Sequence, residues 1–148
     1  LLARAKEWPE RLGVGKPLVV DDRLEEFLEA RCYSLLKREK EEQKLLQSVA
    51  SFGKQDAAAT DSNTLLSALS LRTLGKSAEA AQLLSQWTQN SPGNPVAQWA
   101  SSVFTGANRE ADRILGEIRS KAGPNAWNPF PDDPQFHLII EAMSLSVH

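Results

Sequence analysis

Residues Leu65 to Pro92 read LLSALSLRTLGKSAEAAQLLSQWTQNSP, and their pattern decides the fold. Leu65, Leu66, Ala68, Leu69 and Leu71 recur at helical spacing. Gly75 interrupts them, and Ala80, Ala81, Leu83, Leu84 and Trp87 resume the spacing until Pro92. The pattern predicts two helices joined at a glycine that can take the left-handed conformation. Asp61 or Ser62 is placed to cap the first helix and Ser77 the second, each offering a side-chain oxygen to a free backbone N–H.

Working outward, the flanks repeat the pattern more weakly. Upstream, Asp21 or Asp22 can cap a helix that carries Leu24, Phe27, Leu28, Cys32, Leu35 and Leu36 on one stripe. The charged run KREKEEQK then leads into a helix with Leu45, Leu46, Val49 and Phe52, for which Gly53 is a plausible stop. Downstream, Asn94 and Pro95 fit an N-cap and first helical residue. Val96, Trp99, Ala100, Val103 and Phe104 follow on one helix, Gly106 marks a turn, and Ala111, Ile114, Leu115 and Ile118 mark another helix. The proline-rich GPNAWNPFPDDP cannot be helical and is expected to pack through Trp127 and Phe130. A last apolar helix carries Phe136, Ile139, Ile140, Met143 and Val147. No segment alternates with period two for long, so the expected class is all-α.

The turns superimpose. LLSALSLRTLGKSAEAAQLL matches FLEARCYSLLKREKEEQKLL when Gly75 is set on Lys37, 38 residues apart. The Gly75-x-x-x-Glu79-Ala80 pattern recurs as Gly106-x-x-x-Glu110-Ala111, 31 residues on. These offsets straddle the ~34-residue period of tetratricopeptide repeats. With small Ala68 and Ala80 where helices must approach, Gly75 at the turn and Pro92 at the end, the segment resembles that family. Lys37 stands where the turn glycine would be, Glu42 where its alanine would be, and the first helix after Pro95 reads about a turn short.

The resemblance implies a right-handed α-hairpin solenoid of about eight helices in a single domain. Its parts are a half hairpin over 1–9, hairpins over 21–52, 61–92 and 95–121, and a last or capping helix over 134–147. Read this way, the chain begins and ends inside a hairpin and is expected to be a piece of a larger array, with any targeting signal upstream. In such arrays the first helices line a groove for a protein or peptide, or for another domain of the same chain. Phe27, Arg31, Leu65, Leu69 and Arg72 are the groove positions carried over, and Leu24, Ser34 and Ser62 lie beside them. Phe27 and Leu65 stand where chaperone-binding members carry polar residues, so a chaperone tail is not the expected ligand. A looser similarity of PERLGVGKP and DDRLEEFL to loops in large bacterial proteins with carbohydrate-processing domains suggests the alternative of a structural accessory domain to such an enzyme.

Composition narrows function further. With 17 Lys+Arg against 19 Asp+Glu, the net charge of −2 favours neither nucleic acid nor an anionic membrane. No apolar run approaches the ~20 residues a membrane span needs. The single Cys32 excludes an internal disulfide and a cysteine zinc site, and its place on the stripe predicts a buried, inert thiol. GVGKP lacks the spacing and the Ser/Thr of a phosphate loop. His137 and His148 stand too far apart along a helix to share an ion, and His137 reads as a surface residue. Glu25-Glu26, Glu41-Glu42 and Asp132-Asp133 read as solvated pairs, and Trp87, Trp99 and Trp127 as core or loop anchors. No catalytic, cofactor or metal residues are expected. The apolar stripe of Phe136, Ile140 and Met143 is expected either to cap the array or to drive self-association.

Overall fold

The computed structural model describes residues 21–55 and 61–144, which hold seven helices and no strand. They are α1 (Arg23–Leu35), α2 (Glu39–Gln55), α3 (Asn63–Thr73), α4 (Ser77–Asn90), α5 (Pro95–Thr105), α6 (Asn108–Ala122) and α7 (Phe136–Ser144). The expected half hairpin at 1–9 and the end of the last helix lie outside the described residues. From α1 through to α6 consecutive helices pack on one another, and the first helices of successive hairpins also meet, α1 on α3 and α3 on α5. Among the described residues, no helix is long and apolar enough to cross a membrane.

Three hairpin turns share one hydrogen-bond pattern. Lys37 N–H donates to the Ser34 carbonyl and Arg38 N–H to Tyr33. Gly75 and Lys76 do the same to Arg72 and Leu71, and Gly106 and Ala107 to Val103 and Ser102. This is the paired closure that satisfies the last carbonyls of a helix through one left-handed residue. The left-handed residue is Gly75 at φ 79°, Gly106 at φ 76° and, in the first hairpin, Lys37 at φ 56°. The turn geometry thus persists at the 38-residue offset even where glycine does not.

Helix α3 is the hub. Eight of its residues are buried, from Asn63 to Ala68 and at Ser70 and Leu71, so it has no solvent stripe of ordinary width. Its small residues allow this: Ser67 and Ala68 are fully enclosed, and Ser67 Oγ donates to the Val49 carbonyl of α2 at 3.0 Å. Ala80 of α4 is also fully enclosed, as close hairpin approach requires.

Several local expectations are corrected. Helix α2 continues through Gly53, because a glycine ends a helix only by leaving helical backbone. Ser77 is the first helical residue of α4, and neither it nor Lys76 before it makes a side-chain cap. Helix α5 is as long as α3, 11 residues, so the third hairpin is not short there. The stripe of α1 ends at Ala30: beyond it Cys32 is exposed, with Leu35 at 85% and Leu36 at 66% exposure. The last turn of α1 projects past its neighbours, so helical spacing there does not buy burial. Asn94 does cap α5, accepting from Val96 and Ala97 N–H at 2.9 and 3.3 Å, with Pro95 first in the helix.

The last helix covers α5. Phe136 meets Trp99 edge-on with centroids 5.1 Å apart, and Phe130 from the proline-rich loop meets Phe136 at 6.4 Å. Phe136 and Ile139 are fully enclosed within this one chain.

The left-handed Lys37 yields a stability test. A Cβ at this φ costs about 1–2 kcal/mol, so Lys37→Gly should stabilise by roughly 0.5–1 kcal/mol once glycine's extra chain entropy is deducted. Gly75→Ala should lose about 0.5–1 kcal/mol by the same reckoning, with backbone strain as the only cause, since a Cβ there meets nothing within 4 Å. Urea midpoints of the two variants check both signs.

Candidate functional site

The expected groove only partly reaches the surface. Phe27 and Leu65 are core residues, 6% and 0% exposed, so they cannot face a ligand. Their stripe turns toward α2 and the neighbouring first helix rather than outward. Arg31 and Leu69 are half-buried, and Arg72 is exposed. Arg72 is itself engaged: its guanidinium donates to the Phe104 carbonyl at 2.7 Å and lies 4.8 Å from the Phe104 ring centroid. That contact ties the end of α3 to the end of α5. The predicted set is therefore a seam between hairpins more than an open groove.

A polar junction forms where three segments meet at the start of α3. Asp133, expected as a solvated residue, is only 5% exposed. Its carboxylate accepts from Ser62 N–H at 2.6 Å and from Ser62 Oγ at 2.9 Å. A helix N-terminus offers unpaired N–H groups and a positive dipole end, so a carboxylate brought there from the distant loop is well placed. Asn63 Nδ2 donates to Asp21 at 3.0 Å and to Gln135 at 2.6 Å. Arg23, 2% exposed, reaches Asp21 at 2.7 Å and Asp61 at 3.1 Å and stacks 4.7 Å from the Phe52 centroid. Burial pushes the Asp61 carboxyl above its ordinary value of 3.8; Arg23 opposes this, while the Asp21 and Asp133 charges add to it. Apart from Asn63 Oδ1, which has no partner, these groups are engaged with one another, so the junction is a structural clasp.

The second concentration of chemistry is a cleft of about 280 Å³ between the end of α6, the proline-rich loop and α7. Arg119, Pro124, Trp127, His137, Ile140 and Glu141 line it. His137 is corrected here: it is 6% exposed, and neither ring nitrogen has a hydrogen-bond partner. Trp127 lies against it, centroids 3.7 Å apart and planes at 54°, while remaining 78% exposed. Trp87 and Trp99 are the core anchors expected, at 1% and 3% exposure, but Trp127 is not. Sequence reasoning missed this cleft because one turn of α7 faces α5 through Phe136 while its neighbour His137 faces the loop. The available signal was the unusual sequence of an exposed-type aromatic between prolines, ahead of a histidine on a short apolar helix. Among the described residues, no three His, Cys, Asp or Glu side chains are placed to hold a metal ion.

The clasp makes two predictions. Asp133→Ala leaves buried Ser62 groups without their acceptor and should cost about 1–3 kcal/mol in thermal or urea unfolding. For Asp61, a proton held more tightly in the folded state favours folding below pH 3.8, and that contribution is lost as pH rises through the raised folded value. Stability of Asp61→Asn relative to the parent chain should therefore improve as pH rises from about 3 to 7, an outcome read from paired urea titrations.

No protein-family model, curated protein or solved structure matches this chain.

Proposed function

We propose that the chain is a non-catalytic helical-repeat scaffold, tetratricopeptide-like in its hairpins, that makes contacts with protein. The contact is with a separate partner or with another domain of the same polypeptide. The observation that carries this reading is the recurrence of one turn at Lys37, Gly75 and Gly106, with first helices touching first helices. Hairpins repeated in this way generate extended surface at little cost, because each needs only its neighbours to bury its apolar face.

The surface best suited to contact is the projecting end of α1. Leu35 and Leu36 expose 85% and 66% of their area, beside exposed Cys32 and the half-buried Arg31. Two adjacent exposed leucines are an apolar patch without a covering element among the described residues. An array-end self-contact through α7 has less support, since Phe136 and Ile139 already find their cover within the chain.

The test is affinity capture with the chain as bait, followed by two-component binding with whatever protein is recovered. Leu35→Ser/Leu36→Ser should weaken that binding at least about tenfold, roughly the loss of 1.4 kcal/mol, with unchanged helical content. Recovery of no protein by either bait, or equal affinity for both, counts against the reading.

A further inference from the structure

The cleft beside Trp127 holds chemistry that a contact scaffold does not use. Buried polar atoms normally find partners, and leaving one without costs about 1–3 kcal/mol. His137 leaves two. Glu25 Oε2, Asn63 Oδ1, Ser70 Oγ and Trp87 Nε1 also lack partners, but none of these lines a described cleft, whereas His137 does. Next to it a tryptophan stands 78% exposed, although large aromatic surfaces are normally covered. Each feature is costly without a ligand, and they occur within one stacking distance, 3.7 Å between ring centroids.

We propose that this cleft is a binding site for a neutral, hydroxyl-rich ring, the pyranose of a saccharide. The lining groups select the class. Arg119 supplies donors, Glu141 acceptors, and the imidazole two ring nitrogens that can take part in hydrogen bonds. An anion would meet Glu141 and a cation would meet Arg119, so a ligand with net charge of either sign is disfavoured. A ring whose hydroxyls both donate and accept satisfies all three side chains. Its apolar C–H face matches the exposed ring of Trp127, a contact of the weak C–H···π kind. The volume, about 280 Å³, is the space of roughly nine water molecules, room for one such ring with its hydroxyls. Because both His137 nitrogens are closed off in this structure, a small shift of the loop carrying Trp127 accompanies binding and brings a hydroxyl to the ring edge.

The test is NMR titration of isotopically labelled protein with glucose, N-acetylglucosamine, maltose and cellobiose. Sugar is raised to about 20 mM, enough to register millimolar binding. The expected result is a saturable shift of the Trp127 indole N–H and the His137 ring nitrogens with at least one sugar, while the Trp87 and Trp99 indoles stay in place. Trp127→Ala, an exposed change that leaves the Trp87 and Trp99 signals as folding controls, should weaken the binding about tenfold or more. No saturable shift with any of the four sugars overturns the proposal, and so do His137 shifts of equal size and affinity in Trp127→Ala. Either result leaves the Leu35–Leu36 contact untouched, because that patch is on α1.

Discussion

Close approach of backbones around α3 is the constraint on which the other features rest. A helix buried on nearly all sides must touch α1, α2, α4 and α5 at once, and bulky side chains would hold some of them away. Ser67, Ala68 and Ser70 keep the surface of α3 low, and Ala30 and Ala80 do the same on α1 and α4. The leucines at 65, 66 and 71 then fill the spaces between helices. Interiors packed to crystal-like density leave little slack, so enlarging any of these small residues would separate a hairpin rather than merely crowd it.

Burying α3 so thoroughly creates a polar problem at its first turn. The free N–H groups there cannot turn to water, and the helix has no capping side chain of its own at Ser62. The remedy is partly local and partly from a distant loop. Asp61 accepts from Asn63 N–H at 3.1 Å, and Asp133 covers Ser62. The carboxylates gathered for this purpose repel one another, and Arg23 is the charge that makes the gathering tolerable. The same loop that delivers Asp133 also delivers Trp127, so the clasp sets where the cleft forms.

What could be read from the sequence was what neighbours in the chain decide. The turns at Gly75 and Gly106, the Asn94–Pro95 start and the apolar stripes of α3 to α6 follow from local pattern. Even Lys37 was placed at its turn by alignment, with no glycine to mark it. Non-local packing decided the rest. Cys32 and Leu35 share a stripe with Phe27, yet among the described residues no neighbour covers them at the end of α1. Asp132 and Asp133 look alike in sequence, but only Asp133 meets a helix start 71 residues away. His137 is buried because of how α7 rolls against Trp99, a choice its own periodicity leaves open. The groove positions Phe27 and Leu65 failed for the opposite reason: they pack too well.

The reach of that clasp also bears on how the molecule comes apart. Contacts between successive hairpins alone would let an array fray from either end, losing one unit at a time. Bonds from Asp133 to Ser62 and from Gln135 to Asn63 span 71 and 72 residues and fasten the far end to the hub. Loosening α7 therefore strips the cover from α5 and uncaps α3 in the same event. These ties between the last segment and the hub give the hairpins a reason to come apart together instead of one at a time.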